Sequence, residues 1–555
     1  METSELLLAE PRSTTGGRAV SRLQSFRISP AAAIALAMAA GLAVRLAHVL
    51  PAGFPLNDGG MFYMMAEDVQ RAHYLLPEHT SYNGLDIPFA YPPVAFFLAS
   101  WLDAVGSWSL LDVVRFLPLA ASTLTVPAFY LLARSMLSSR FAAAMIAVLA
   151  FAVLPRGFNW MIVGGGLTRS VGLLFALLAL HQGFLLFRNV DDRRVLPTAF
   201  LSSLALMSHP ETGWLVAFSL PMFCLAHCRS RRGLAHGLAV GVTMGLLSAP
   251  WWGTVVARHG LEPLLSAAQS GRGDWFSWAA DNLARLSFTE EPFLPVLAGV
   301  GMVGLVVSVV RREFLLPVWL ASMFLLDPRS ASTYAMIPLA MLIGIAVASA
   351  LPLLSRESSA ARLDVGLRGA WALAAAVALL AYGSVAAIDT SSVDSSPLHP
   401  LSEESRQAIS WVARNTPEDS RFLVIKGAGS PWTDSLSEWF PALTKRASLG
   451  TVQGYEWLGK SRYERQQDRY EELQACASQS VRCLEKWARQ VSPTFSYVYV
   501  AKSPAGDHGD CCSTLRRSLR ASPRYVVLYD GPGATIFGRK AALVDEASAG
   551  RWRTP

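Results

Sequence analysis

The chain has 555 residues, 52% of them hydrophobic and only 16% charged, with a formal net charge of +7. That balance excludes an ordinary soluble domain, and the apolar runs are long enough to cross a bilayer, so the sequence reads as a polytopic α-helical membrane protein. The positive charge calls for no nucleic acid, because the basic clusters fall in short loops between apolar segments, where cytoplasmic Lys and Arg accumulate.

A basic leader with Arg12, Arg18, Arg22 and Arg27 precedes the apolar segment 31–50. The run exceeds a signal-peptide core and no small-residue cleavage pattern follows it, so it is expected to be an uncleaved first span behind a cytoplasmic tail, residues 1–30. Next comes "FPLNDGGMFYMMAEDVQ" (54–70), which sets Asp58 between two turn-forming pairs and follows it with Glu67 and Asp68. Carboxylates at a membrane edge are costly unless they do something. Asp58 also has a plainer reading, as the cap of a helix beginning near Met61, and Glu67 and Asp68 have one as a solvated helix face.

The segment "YPPVAFFLASWLDAVG" (91–106), which starts with Tyr91, is expected to be an interfacial or re-entrant helix begun by Pro92 and Pro93, within a long external loop 51–112. A full crossing there would put every later basic loop on the wrong side. Those loops are 134–140, 188–194, 228–232, 311–313 and 355–368, all expected to be cytoplasmic. Spans near 113–134, 141–155, 168–187, 196–208, 212–228, 235–251, 293–310, 314–327, 334–352 and 369–388 then alternate consistently, about eleven with the first, and residues 31–389 form the membrane domain. In this topology Arg45, His48, Asp58, Glu67, Asp68, Tyr91, "GGGLTRS" (164–170), "SHPE" (208–211), "WWGTVVARHG" (251–260) and "DPRSASTY" (327–334) share the external side. A one-sided collection of acids, bases and aromatics points to a reaction centre at the outer leaflet.

In "SHPE", Pro210 stiffens the turn so that His209 and Glu211 can be held near one point; the plainer reading is that Pro210 starts a helix and Glu211 favours its N-terminal dipole. With Asp58 these two residues could complete a divalent-cation site for Mg or Mn, or orient a substrate without any metal. Beyond residue 389 the composition turns polar, then mixes helical patterns such as 402–414 with strand-like runs at 421–425, 495–501 and 524–538, which reads as an external α/β domain over 390–555. It holds Cys476, Cys483, Cys511 and Cys512, whose three possible pairings the spacing leaves open. In "DSLSEWFPA" (434–442) and "QGYEWLG" (453–459), Glu438, Trp439, Glu456 and Trp457 pair acids with aromatics as sugar-binding surfaces do, and as packed cores also do.

The order of a first span, an early external Asp and a proline-led amphipathic segment, followed by "RFLPLAASTLTVPAFYLLARSMLSSR" (115–140), resembles the membrane glycosyltransferases of the GT-C superfamily. The likeness is greatest to the protein O-mannosyltransferase and lipid A aminoarabinose transferase branches, while "AISWVARNTPEDSRFLVI" (408–425) is similar to the segment that opens the external domain of oligosaccharyltransferase-like members. The chain departs from the first two in offering only Asp58 where one has Asp-Glu, and Thr168 and Arg169 where the other has an Asp. The resemblance implies an inverting transfer of a sugar from a polyprenyl-phosphate-linked donor to a lipid, glycan or protein acceptor at the external face. One base is then needed beside the nucleophile, and Asp58 is the candidate. The leaving phosphate needs a cation, for which Arg45, Arg169, Arg258 and Arg329 are candidates, Arg169 favoured by its glycine-rich approach. Tyr91, Glu67, His209, Glu211, Glu438, Trp439, Glu456 and Trp457 are the candidate substrate contacts. The implied location is the plasma or inner membrane, with the N-terminus cytoplasmic. Two rival readings are a transporter or flippase of a lipid-linked or polar solute, and a non-catalytic glycan-binding membrane protein. Convergence of Asp58, Arg169 and His209 on one place would separate an enzyme from both.

Overall fold

The computed structural model describes residues 30–138, 140–228, 230–270, 275–354, 364–392, 396–427, 429–491, 494–502 and 511–548. The basic leader and most of the expected loop 355–368 lie outside the described residues. A helix stands over each of the eleven apolar segments: Pro30–Ala52, Leu110–Met136, Phe141–Val153, Gly166–Asn189, Val195–Ser208, Pro210–His227, Arg231–His259, Val296–Val310, Leu315–Leu326, Met336–Leu354 and Asp364–Asp389. The protein is a multi-pass membrane protein, but the crossings counted by length and composition are fewer than eleven. Among the described residues six helices are long and apolar enough to cross, or seven if the pair Phe141–Val153 and Pro155–Met161, bent by 72°, is one span. The difference is one of length: the 14-residue helix Val195–Ser208 extends about 21 Å against a hydrocarbon core of about 30 Å.

The proline-led segment forms the helix Val94–Val105, which buries Ala95, Phe96 and Ala99 and leaves Trp101 and Val105 exposed, an amphipathic element as expected. Ahead of it, helix Gly60–Arg71 and the short antiparallel pair β1 (His79–Thr80) and β2 (Ile87–Pro88) occupy the connection between helices Pro30–Ala52 and Leu110–Met136.

The C-terminal region carries a five-stranded sheet in the order β4-β3-β5-β7-β6, made from β3 (Arg421–Ile425), β4 (Ala447–Ser448), β5 (Tyr497–Ala501), β6 (Tyr525–Asp530) and β7 (Ala534–Arg539). The first three in that order run parallel, and β7 pairs antiparallel with both β5 and β6. Successive side chains leave a strand on opposite faces. Leu423, Ile425, Val498 and Val500 accordingly join Leu473, Leu484, Trp487, Leu515 and Leu519 in one core. Phe422, Val424, Tyr497 and Tyr499 join Ala408, Trp439 and Phe440 in another, and that second core runs on without a break into Met61, Phe62, Tyr91 and Phe96 of the connection between the first two long helices. The sheet region is therefore packed onto the loop that carries Asp58. The disulfides are Cys476–Cys483 and Cys511–Cys512.

Candidate active site

Leaving helix Pro30–Ala52, the chain makes a backbone bridge between Leu56 and Pro400, then turns through two left-handed residues, Asn57 at φ 49° and Gly59 at φ 116°. Asp58 lies between them. Gly59 is the N-cap of helix Gly60–Arg71, and no side chain of the cap itself bonds the helix. The capping reading of Asp58 is thereby overturned: its Oδ1 instead accepts the Gly165 N–H at 2.7 Å, while the Gly164 N–H donates to the Leu56 carbonyl at 2.8 Å. A Cβ built on Gly164 would stand 1.9 Å from the Asp58 carbonyl oxygen, and one on Gly165 2.4 Å from Asp58 Oδ2. The glycine run, expected to bring backbone near a phosphate, brings it against the Asp58 loop. Burial lifts the Asp58 carboxyl above the ordinary carboxylate range, against the opposing pull of Arg169 and of the Gly165 N–H.

Arg169, in the first turn of helix Gly166–Asn189, lays its guanidinium over the Trp160 ring at 5.6 Å. Its Nη1 is buried without a hydrogen-bond partner. Its charge acts on Asp58, Tyr91 and Glu211 together. Pro210 opens the helix Pro210–His227, as the plainer reading of "SHPE" has it, and His209 and Glu211 also meet a third group. The Tyr91 hydroxyl is 2.7 Å from His209 Nδ1, Thr168 Oγ1 is 3.2 Å from the same nitrogen, and His209 Nε2 is 3.2 Å from Glu211 Oε2. With the proton on Nε2 facing the carboxylate, Nδ1 accepts from Tyr91. The chain of contacts continues from Glu211 Oε1 to Arg329 Nε at 3.5 Å, and Arg329 Nη1 donates to the Ser270 carbonyl at 3.2 Å. Buried Asp327 stands behind, its carboxyl pushed up to about 7 by burial and by the charge of Glu211.

Asp58, Arg169 and His209 therefore converge on one cluster, together with Tyr91, Thr168, Glu211 and Arg329. Three other candidates, Arg45, Arg258 and Glu67, fall outside it, and so does Asp68. Arg45 is a brace in the helix core, donating to Ser122 Oγ at 2.9 Å and to the Gly41 and Ala152 carbonyls at 2.8 and 2.9 Å. Arg258 is spent on the carbonyls of Leu76 and Pro77. Glu67 pairs with Arg71 at 2.9 Å and with Lys445. Asp68 is no solvated residue: it is buried and accepts from Thr80 Oγ1 at 2.8 Å and the Ser81 N–H at 2.9 Å, which ties β1 to the helix before it.

From the sheet region, Glu438 Oε1 accepts the Gly59 N–H at 2.8 Å, and Trp439 Nε1 donates to the Asn57 carbonyl at 3.0 Å. Trp439 is fully buried and Trp457 nearly so, 5.4 Å from the Tyr91 ring, so both are packing residues that offer no face to a sugar. Glu456 accepts the N–H of Gly454 at 2.8 Å.

Asp58, His209 and Glu211 do not make a cation site. Both ring nitrogens of His209 are engaged, and among the described residues no three His, Cys, Asp or Glu side chains are grouped to hold a metal ion. No chemical step is routed through one here. Sequence reasoning gave no role to Trp160 and Asn57, which carry no ionisable group, and none to Asp327, quoted only within "DPRSASTY", because the Glu211 that acts on it is remote in sequence.

No protein-family model and no curated protein matches the chain. Solved structures do. The oligosaccharyltransferase AglB of Archaeoglobus fulgidus, in complex with an inhibitory peptide and dolichol-phosphate, superposes with a TM-score of 0.57 at 15% identity over 84% of this chain and 69% of that one. ArnT of Cupriavidus metallidurans bound to undecaprenyl phosphate gives 0.53 at 14% identity over 92% and 98%. The mycobacterial arabinofuranosyltransferase AftD gives 0.52 at 17% identity over 91% of this chain and 40% of that one. The fold of this chain is the one these three proteins share.

Proposed function

We propose that the chain is an inverting glycosyltransferase that moves a sugar from a polyprenyl-phosphate carrier to a hydroxyl or amine acceptor at the external face of the plasma or inner membrane. The N-terminus is then cytoplasmic and the sheet region external. The observation that carries this reading is the presence in one cluster of a half-buried carboxylate, Asp58, pinned by the Gly165 N–H, and the buried, unpaired Nη1 of Arg169, whose charge acts on it. In the proposed step the acceptor oxygen or nitrogen attacks the anomeric carbon and forms the new glycosidic bond. The bond from that carbon to the carrier phosphate oxygen breaks, and the phosphate leaves with the electron pair. Asp58 takes the proton of the acceptor, and Arg169 balances the charge released on phosphate, which needs no proton to leave. The Glu211–His209–Tyr91 chain sets the direction of the Tyr91 hydroxyl beside that phosphate site and keeps Glu211 opposite Arg329.

The test is transfer by the purified protein from a panel of polyprenyl-phosphate sugars, with Asp58→Asn in parallel. The amide cannot accept a proton, so the variant should lose at least about a hundredfold in rate at unchanged yield and melting temperature. Full activity in Asp58→Asn sinks the mechanism. Movement of the lipid-linked sugar across vesicles with no transfer product makes the protein a transporter instead.

A further inference from the structure

The first four N–H groups of a helix need partners from outside it. Helix Gly60–Arg71 begins at a glycine cap that has no side chain to offer, and the neighbouring acid, Asp58, is turned away toward Gly165. The vacancy is filled from 379 residues further along the chain, where Glu438 Oε1 receives the Gly59 N–H at 2.8 Å. We infer that Glu438 is a positioning residue for Asp58: its carboxyl group, borne by the sheet region, caps helix Gly60–Arg71 in trans and thereby fixes the turn on which Asp58 stands. The inference deepens the proposed function and rests on Asp58 being the base.

The grip is two-sided. Asn57 and Gly59 are held by the sheet region and Asp58 by the membrane helices, in strict alternation. Asn57 donates its N–H to the His399 carbonyl at 2.9 Å and its Nδ2 to the Trp432 carbonyl at 2.9 Å, and its own carbonyl receives Trp439 Nε1. The Tyr82 hydroxyl donates to the Glu438 carbonyl at 2.8 Å, and a Cβ on Gly60 would stand 2.5 Å from that same oxygen, so the two backbones touch. A non-glycine residue at positive φ, as Asn57 is, persists only when its surroundings over-determine it. Burial, and then the charge of Asp58, hold the Glu438 carboxyl well above the ordinary range. A glutamine side chain reproduces that acceptor without charge. A methionine fills the same volume and has no comparable acceptor.

The test uses the full-length protein in detergent or nanodiscs and needs no substrate. Amide hydrogen exchange is followed in the peptide spanning 54–66 for the parent, Glu438→Gln, Glu438→Met and Asp58→Asn. Glu438→Met should speed exchange at Gly59 by about tenfold, the effect of one lost buried hydrogen bond, while Glu438→Gln stays near the parent. In the transfer assay Glu438→Met should lower kcat with donor KM unchanged, and Glu438→Gln should recover most of it. Parent-like exchange and kcat in Glu438→Met overturns the inference, as does a Glu438→Gln protein that is as impaired as Glu438→Met. If Asp58→Asn is inactive while Glu438→Met is not, the positioning role alone fails. If Asp58→Asn is active while Glu438→Met still loosens Gly59, the base assignment fails and the cap stands.

Discussion

At the scale of single residues, the site separates ionisable groups that are satisfied from those that are not. Arg45 and Arg169 carry the same charge at opposite ends of the argument. Arg45 finds a hydroxyl and two carbonyls, whereas Arg169 keeps a buried nitrogen unpaired. The cost of charge at a membrane edge made both legible in the sequence, together with Asp58 and His209, but it could not tell brace from site, because carbonyl partners are not written in residue types. Asp58 sets a pH dependence whose sign follows from its role. A base works deprotonated, so the rate falls as acid protonates it, and a carboxyl lifted by burial is protonated at higher pH than an ordinary one. A profile of kcat/KM against pH should therefore show an acid limb above about pH 4, the value of a free aspartate. A limb at or below that value would mean Arg169 outweighs burial.

At the scale of elements, the break between Phe141–Val153 and Gly166–Asn189 matters more than the helices themselves. Apolar runs predicted the helices to within a few residues. The 72° bend falls at Pro155, which cannot continue the hydrogen-bond ladder, at the end of what the sequence reads as a single span 141–155, and the partner of the glycine run beyond it was invisible 107 residues upstream. The prediction at this scale is Gly165→Ala. Its Cβ would sit 2.4 Å from Asp58 Oδ2, too close for any real contact, so the carboxylate must leave its place. Loss of at least about a hundredfold in transfer, with the protein still folded by thermal melting, is the expected outcome. Wild-type rates there would mean that the Gly165 contact does not hold the acid. The run 524–538, read from the sequence as a single strand-like stretch, is two strands, β6 and β7, folded back on each other at "DGPG". The two-residue strand β4 and its parallel pairing with β3 were not legible, since two residues carry no period.

At the scale of the whole molecule, the change of composition near residue 390 sets the sheet region apart in the sequence, but does not say that it shares a core with the loop that carries Asp58. That core explains why a polar-looking region carries fully buried Trp439 and Phe440. A chain ending at residue 392 should keep its membrane helices and lose transfer entirely, because Asn57 and Gly59 are left without His399, Trp432, Glu438 and Trp439. Limited proteolysis should then cut within residues 54–60, which the full chain protects; resistance there would show that the loop holds itself. The reach of 379 residues between Gly59 and Glu438 also has a meaning in time. At about 5–20 residues per second of synthesis, Glu438 is made some 20–75 s after the acid it serves. During that interval the helices from Leu110 to Asp389 are themselves still being made. Under the proposed function, lipid-linked donors around the newborn chain then meet no finished catalyst until the sheet region has been made and has packed onto the turn.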